Sequence, residues 1–279
     1  MKQRIKIFPK IMMTVGSFLA FAYAMPFFLV IINSFKPKMA ILENVLSLPV
    51  EFDIKNFQQA AKKMDYFQAF SNSLIVTVFS VAAIIITSSM LAYYLARRQT
   101  KLKKAVFLVL VASMIVPFQS LMVPFISLYG SNGPVAALNM LSMYGLVYFY
   151  VGFGVSMSTF LYHGFISNIP YELDEAAMLD GASEFTVFRR IIFPMLGPVT
   201  ATVAILQALW IWNDYLLPSM VLFREARTLP LSTYIFYGMY SSNYGQAMAG
   251  LLLSVIPIIA FYFIMQKQII SGISAGAVK

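Results

Sequence analysis

Ser73-Leu-Ile-Val-Thr-Val-Phe-Ser-Val-Ala-Ala-Ile-Ile-Ile-Thr-Ser-Ser-Met-Leu-Ala-Tyr-Tyr-Leu-Ala96 contains no charged side chain, and its reading decides the class of this chain. At roughly 1.5 Å of rise per residue, a helix of this length crosses a hydrocarbon core of roughly 30 Å. Working outward, five further apolar segments lie at about 11–33, 105–128, 141–162, 195–217 and 247–266. The chain has 279 residues, 60% of them hydrophobic and 11% charged. An average soluble domain carries about 25% charged residues, so this chain lacks the charge to cover a water-facing surface. The expectation is an all-α, polytopic membrane protein with six transmembrane helices in a single domain, 1–279.

Several function classes fall away on composition. There is no cysteine, which excludes disulfides, thiolate metal sites and a cysteine nucleophile. A lone histidine, His163, makes no metal cluster, and no cofactor or metal is expected. The net charge of +9 invites a nucleic-acid partner, but lysine and arginine accumulate on the cytoplasmic loops of membrane proteins, which accounts for it better. The basic start runs into an apolar stretch too long for a signal-peptide core, with no small-residue cleavage site, so it reads as a retained first span. Pro26, Pro117, Pro124 and Pro257 lie inside spans and predict kinks rather than helix ends. Pro117 and Pro124 also leave open a division of 105–128 into two short pieces.

Charge on the loops sets the expected topology. Lys2, Arg4, Lys6 and Lys10 precede the first span, and Arg97, Arg98, Lys101, Lys103 and Lys104 cluster between the second and third. With an even number of spans, both termini are then cytoplasmic, the loop 163–194 is cytoplasmic, and the loop 218–246 faces outside. The segment 34–70, on the outer side, balances its lysines with Glu43, Glu51, Asp53 and Asp65. The inner loop 163–194 is acidic, with Glu172, Asp174, Glu175, Asp180 and Glu184 against Arg189 and Arg190. That acidity needs a cause.

Within this loop a helix is signalled from Pro170, with Asn168 or the adjacent backbone as its cap and carboxylates in its first turns. Leu173, Ala176 and Ala177 have the spacing of one face. Gly181 supplies a left-handed stop. A second helix from about Ser183 places Phe185, Phe188, Ile191 and Ile192 on one side. By physics alone this is an interfacial helix pair with small residues open to a partner.

The spacing Glu175-Ala-Ala, three residues, Gly181, nine residues, Ile191, one residue, Phe193-Pro194 resembles the Glu-Ala-Ala loop of bacterial ABC importer permeases. Phe193 stands where that pattern has leucine. The resemblance implies the type I importer permease fold and a coupling helix that docks in a groove of an ATP-binding subunit. Glu172, Asp174, Glu175, Ala176, Ala177, Asp180 and Gly181 are the coupling residues it implies: Glu175 for a polar anchor, Ala176 and Ala177 for close packing, Gly181 for the turn. Acidic excess would complement a basic groove. Asp180 fits that role or the capping of the second helix equally.

The fifth span holds a carboxylate, in Gln207-Ala-Leu-Trp210-Ile-Trp212-Asn213-Asp214-Tyr215-Leu-Leu-Pro218. A charge at mid-bilayer costs about 2.5–3.5 kcal/mol on insertion scales, so Asp214 should face protein or water. Gln207, Trp210 and Asp214 share a stripe, and with Asn213 they are candidates to line a pathway suited to sugar hydroxyls and ring faces. The alternative is a belt of interfacial aromatics around an Asp214 bonded to a neighbouring helix. Tyr148 and Tyr150 are weaker candidates, and His163 reads as interfacial.

The Trp-Asn-acid-aromatic-Leu-Leu-Pro stretch, the following Thr228-Leu-Pro and the Tyr-Gly segment resemble the carbohydrate branch of these permeases. That likeness implies that Tyr240, Ser241, Asn243 and Tyr244 meet an extracytoplasmic solute-binding protein. It also implies a second homologous permease chain, two ATP-binding subunits, a sugar or oligosaccharide substrate, and the bacterial cytoplasmic membrane. The chain has no phosphate-binding Gly-x-x-x-x-Gly-Lys-[Ser/Thr] loop, so ATP hydrolysis is expected in a separate subunit and this chain is not an enzyme. Competing readings are a secondary transporter or channel, a glycerol-phosphate importer, and an assembly subunit without transport. An intramembrane enzyme lacks its catalytic motifs here.

Overall fold

The computed structural model describes the backbone of residues 4–97, 100–222, 226–237 and 243–277, and side chains within 10–97, 100–222, 226–236 and 243–266. All regular structure among the described residues is helical. In order the helices are α1 (Arg4–Ser34), α2 (Lys38–Glu43), α3 (Lys55–Lys63), α4 (Tyr66–Arg97), α5 (Lys101–Ser113), α6 (Phe118–Tyr129) and α7 (Met143–Ile166). They continue as α8 (Glu172–Leu179), α9 (Glu184–Val187), α10 (Phe193–Met195), α11 (Gly197–Asn213), α12 (Leu216–Val221), α13 (Leu229–Thr233) and α14 (Tyr244–Ala277). Among the described residues, four stretches are long and apolar enough to cross a bilayer: Lys10–Ser34, Tyr66–Arg97, Met143–Ile166 and Tyr244–Gln266. Two bent pairs raise the number to six if each crosses once: α5 with α6, and Glu184–Met195 with α11.

The expected third span, 105–128, is the one most altered. Its two helices meet at 100°, with the break at Met114–Pro117. Pro117 stands just before α6, where its fixed φ and missing N–H suit a helix start, whereas Pro124 is absorbed inside α6. The second of the two readings of that stretch is therefore the observed one.

The chain forms two compact units, Met1–Phe67 with Ser232–Pro257, and Gln68–Leu231 with Ile258–Lys279. In the first, Lys36 is buried and directs its ammonium to the carbonyls of Asn44 and Val45 and to Ser47 Oγ, at 3.2, 3.5 and 3.1 Å. It thereby ties down the chain at and just beyond Asn44, the residue that closes the carbonyl end of α2. Asn56 Nδ2 donates to Ser34 O and Lys36 O, and Lys63 Nζ donates to Gln246 Oε1 at 2.6 Å.

The second unit is built on α4, α7 and α11. Small polar residues line the seams: Ser80, Ser88, Ser89, Ser158 and Thr159 are buried. In a bilayer, apolar side chains gain nothing by leaving lipid, so small residues that let helices approach closely do the packing. Gly154 on α7 makes such a close approach to both neighbouring helices. A Cβ there would lie 2.6 Å from Ile84 Cδ1 and 3.0 Å from Gln207 Oε1. Polar ties accompany the close approach: Ser113 with Ser156 at 2.8 Å, and Tyr162 donating to Thr200 at 3.0 Å.

Candidate functional site

Helix α8 begins later than the sequence implies. Tyr171 is its N-cap and its carbonyl accepts from the N–H groups of Asp174 and Glu175. Asn168 does not cap it, because Asn168 Nδ2 donates back to Gly164 O at the end of α7. The stop at Gly181 is as expected, with φ +87°. Ala182 N–H reaches back to Ala177 O at 3.0 Å, so the helix closes in the six-to-one bond of a Schellman motif. Ser183 rather than Asp180 caps the next helix, accepting from Thr186 N at 3.3 Å.

The face that α8 presents outward differs from the expected one. Glu172, Leu173, Glu175, Ala176, Leu179 and Asp180 are exposed, Leu179 to 89%. Asp174, Ala177 and Met178, at the i, i+3, i+4 spacing, turn inward. Ala176 and Ala177 are thus divided between the two sides. Asp174 has no exposure at all, and this corrects its place among surface coupling residues. The cause is a partner that the sequence pattern had used only for topology. Tyr93 Oη donates to Asp174 Oδ1 at 2.6 Å. Arg97 Nη2 sits 2.8 Å from Asp174 Oδ2, close enough for an ion pair although its approach does not make a hydrogen bond. The other branch of the guanidinium, Nη1, donates to Ile169 O at 2.8 Å. Beside this cluster is a cavity of about 200 Å³, bordered by Tyr94, Lys103, Tyr171, Met178 and Phe185.

After α9, residues Phe188–Ile192 form a π turn, with Phe193 N–H donating to Phe188 O. Pro194 cannot donate to the preceding turn and its ring crowds the carbonyl there, which favours such a widening. The side expected for the second helix is divided ahead of this turn. Phe188 and Ile192 are buried, while Phe185 is 58% exposed. A bend of 77° at Leu196 then leads into α11.

At the far end of α11, Asp214 Oδ2 accepts from Tyr150 Oη at 2.9 Å, and Oδ1 accepts from Leu216 N at 2.9 Å. It therefore bonds α7 and caps the first turn of α12. The rings of Tyr150 and Trp210 meet edge to face with 5.4 Å between centroids, and Trp210 remains 42% exposed. Asn213 is exposed and donates to Leu209 O. Gln207 lies elsewhere: it is buried, with Nε2 donating to Ser158 Oγ at 3.0 Å and to Gly154 O at 3.4 Å. The expected stripe is thus broken, with Gln207 between helices and Trp210 and Asn213 open. Tyr150 is fully buried and Tyr148 exposed, and His163 stacks on Phe107 at 4.1 Å.

Of the four candidates for contact with a binding protein, Tyr240 and Ser241 lie outside the described residues. Asn243 Oδ1 accepts from Gln246 N at 3.5 Å at the start of α14, and Tyr244 is exposed there.

Residues 84–274 match the family model described as a binding-protein-dependent transport system inner membrane component. The chain is 42% identical to the probable starch degradation products transport system permease protein AmyC of Thermoanaerobacterium thermosulfurigenes, covering 95% of this chain and 94% of that one. It is 35% identical to the multiple sugar-binding transport system permease protein MsmG of Streptococcus mutans, over 100% and 99% of the two chains. It is 34% identical to the melibiose/raffinose/stachyose import permease protein MelC of Bacillus subtilis, over 97% and 96%. Among solved structures it is similar to a bacterial ABC transporter involved in the import of the acidic polysaccharide alginate, with TM-score 0.72 and 20% identity, covering 94% of this chain and 96% of that chain. A structure of a bacterial alginate ABC transporter, with an alginate pentasaccharide-bound periplasmic protein, gives TM-score 0.68 at 16% identity, over 95% and 93%. At these identities the structural likeness speaks to fold.

Proposed function

Because this chain belongs to the family of binding-protein-dependent transport system inner membrane components, we propose that it forms half of a heteromeric pore for sugar or oligosaccharide import. It works with a second permease chain, two ATP-binding subunits and an extracytoplasmic solute-binding protein. Membership in the family replaces the secondary-transporter and channel readings, and makes the chain a permease rather than an enzyme.

The observation that carries the coupling role is the outward face of α8. Three carboxylates (Glu172, Glu175 and Asp180) flank Ala176 and the protruding Leu179, ahead of the Gly181 turn. Acids around an apolar centre suit a groove with basic rims, where charge orients docking and apolar contact holds it. The element continues through α9, the π turn and α10 into α11, so a push on α8 has a covalent route to Trp210 and Asn213. Trp210 and Asn213 are the residues proposed to meet the solute, and Asp214 supports them through Tyr150. Sugars are favoured over glycerol phosphates by the substrates in the relatives' names. The distribution of lysine and arginine favours a cytoplasmic position for both termini.

The test uses the complete complex in proteoliposomes. Glu175→Arg and Gly181→Pro should each abolish the stimulation of ATP hydrolysis by loaded binding protein, and unchanged stimulation would sink the docking role. Uptake of glycerol phosphate in place of labelled oligosaccharides would sink the sugar reading. The natural absence of cysteine lets single cysteines at Lys10 and Asp53 report sidedness without background labelling.

A further inference from the structure

Among the described residues there are two ion pairs, and only that of Arg97 with Asp174 is buried. We propose that this pair is the strut through which displacement of α8 enters α4, so that Arg97 and Asp174 are positioning residues of the transport cycle. The proposal rests on the coupling role of α8 argued above and adds a route that the chain's connectivity does not provide. Helix α8 is joined by the backbone to α7 and to α9, not to α4.

Three features of the geometry support a strut rather than a passive salt bridge. The guanidinium is shared between two successive pieces of chain: Nη2 on the α8 carboxylate at 2.8 Å and Nη1 on Ile169 O, in the lead-in to α8, at 2.8 Å. Tyr93, one turn earlier on α4, grips the other carboxylate oxygen at 2.6 Å. The ring faces of Tyr93 and Tyr171 lie 5.9 and 5.8 Å from Arg97 Cζ and restrict its sideways motion. The last turn of α4 is thereby fixed to α8 and its approach at three polar points.

Two more observations separate this cluster from the docking face. Asp174 has no exposure, so a partner on the outward side does not reach it. An isolated helix as short as α8 is unstable in water, so its placement depends on tertiary contacts, and Ala177 and Met178 supply only short apolar ones. Apolar contacts slide. A buried charge pair with defined donors holds its length, because separating the partners strands a charge away from water.

The experiment compares, in the complete complex with its ATP-binding subunits and binding protein, Arg97→Glu, Asp174→Arg and the exchange Arg97→Asp with Asp174→Arg. Three quantities are read: retention of ATP-binding subunits, stimulated ATP hydrolysis, and solute taken up per ATP hydrolysed. The expected result is that each single variant keeps its ATP-binding subunits and loses at least tenfold in solute per ATP. The exchange should recover part of that loss. Recovery is incomplete because an arginine in the first turn of α8 opposes the helix dipole. Normal coupling in the single variants would overturn the strut, as would an exchange that assembles fully yet recovers nothing. Should the single variants not reach the membrane, Tyr93→Phe removes one hydroxyl and leaves the ring. A several-fold fall in solute per ATP then supports the strut, and an unchanged value overturns it. Glu175→Arg and Gly181→Pro run alongside as controls. If they uncouple while the strut variants do not, only the strut falls, whereas normal coupling in these controls removes the docking role itself.

Discussion

Tyr150 on α7 donates its hydroxyl to Asp214 at the end of α11, and the same tyrosine ring meets Trp210 edge to face. One side chain therefore fixes both a carboxylate and an exposed aromatic. Tyr150→Phe keeps the ring and removes the donor. It should cost about 1–3 kcal/mol, the price of an unpaired polar group in a mostly buried place. The expected readout is a lower unfolding temperature in detergent with the Trp210 emission wavelength little changed. An unfolding temperature equal to that of the parent would mean that Asp214 is satisfied by other groups.

Close approach at Gly154 gives a second prediction. Gly154→Ala forces Ile84 Cδ1 and Gln207 Oε1 to move, since both lie within 3.0 Å of the new methyl. Overpacking of this kind costs about 1–3 kcal/mol. Ile84→Val removes the closer atom, so the double variant should be more stable than the sum of the two single changes. Simple additivity in a double-mutant cycle would locate the strain elsewhere.

Gly181 has open space around its would-be Cβ, so its requirement is one of backbone alone. Gly181→Ala should cost about 1–2 kcal/mol, the penalty of left-handed backbone for a residue with a Cβ. Gly181→Asn should cost less, because asparagine tolerates that region. Hydrogen exchange of the amides of Gly181 and Ala182 should rise in that order, asparagine below alanine. Equal exchange in both variants would contradict the backbone explanation.

Lys36→Met removes the ammonium from the carbonyls of Asn44 and Val45 and from Ser47. A local loss of about 1.5–3 kcal/mol follows from losing hydrogen bonds to a charged donor, while Ser47 Oγ and Asn33 Nδ2 still serve the carbonyls of Asn44 and Val45. Protease nicking between residues 38 and 50 should become several-fold faster. Cleavage at the parental rate would show that α2 is held by its other contacts.

Much of this arrangement is legible in the sequence because it depends on local pattern. Apolar length reveals the spans, since a bilayer demands it regardless of what each helix touches. The stop at Gly181 follows from the conformational freedom of one residue type. The inward turn of Asp174 was not legible, because it depends on Arg97, distant in sequence and marked only as one more cytoplasmic charge. Gln207 was misplaced for a related reason. Its helical spacing with Trp210 and Asp214 is real, but the stripe runs from the interior of the helix cluster to an open end, and depth along α11 decides what each member meets. Phe185 departs from the expected side because it borders the open cavity beside Asp174 rather than packed helix, which helical spacing alone does not reveal.

That turn, Phe188–Ile192, has a consequence for variation in the chain. It holds one residue more than an ordinary helical turn, a stored slip in register. Deleting Arg189 or Arg190 would let the slip relax into regular α-helix. Five residues in the wide turn sweep about the same angle as four in an α-helix, so the helices on either side would keep their phase. The same deletion from a regular turn of α11 would instead rotate everything beyond it by about 100°. The wide turn is thus a slack link, able to lose a residue while both ends stay aligned.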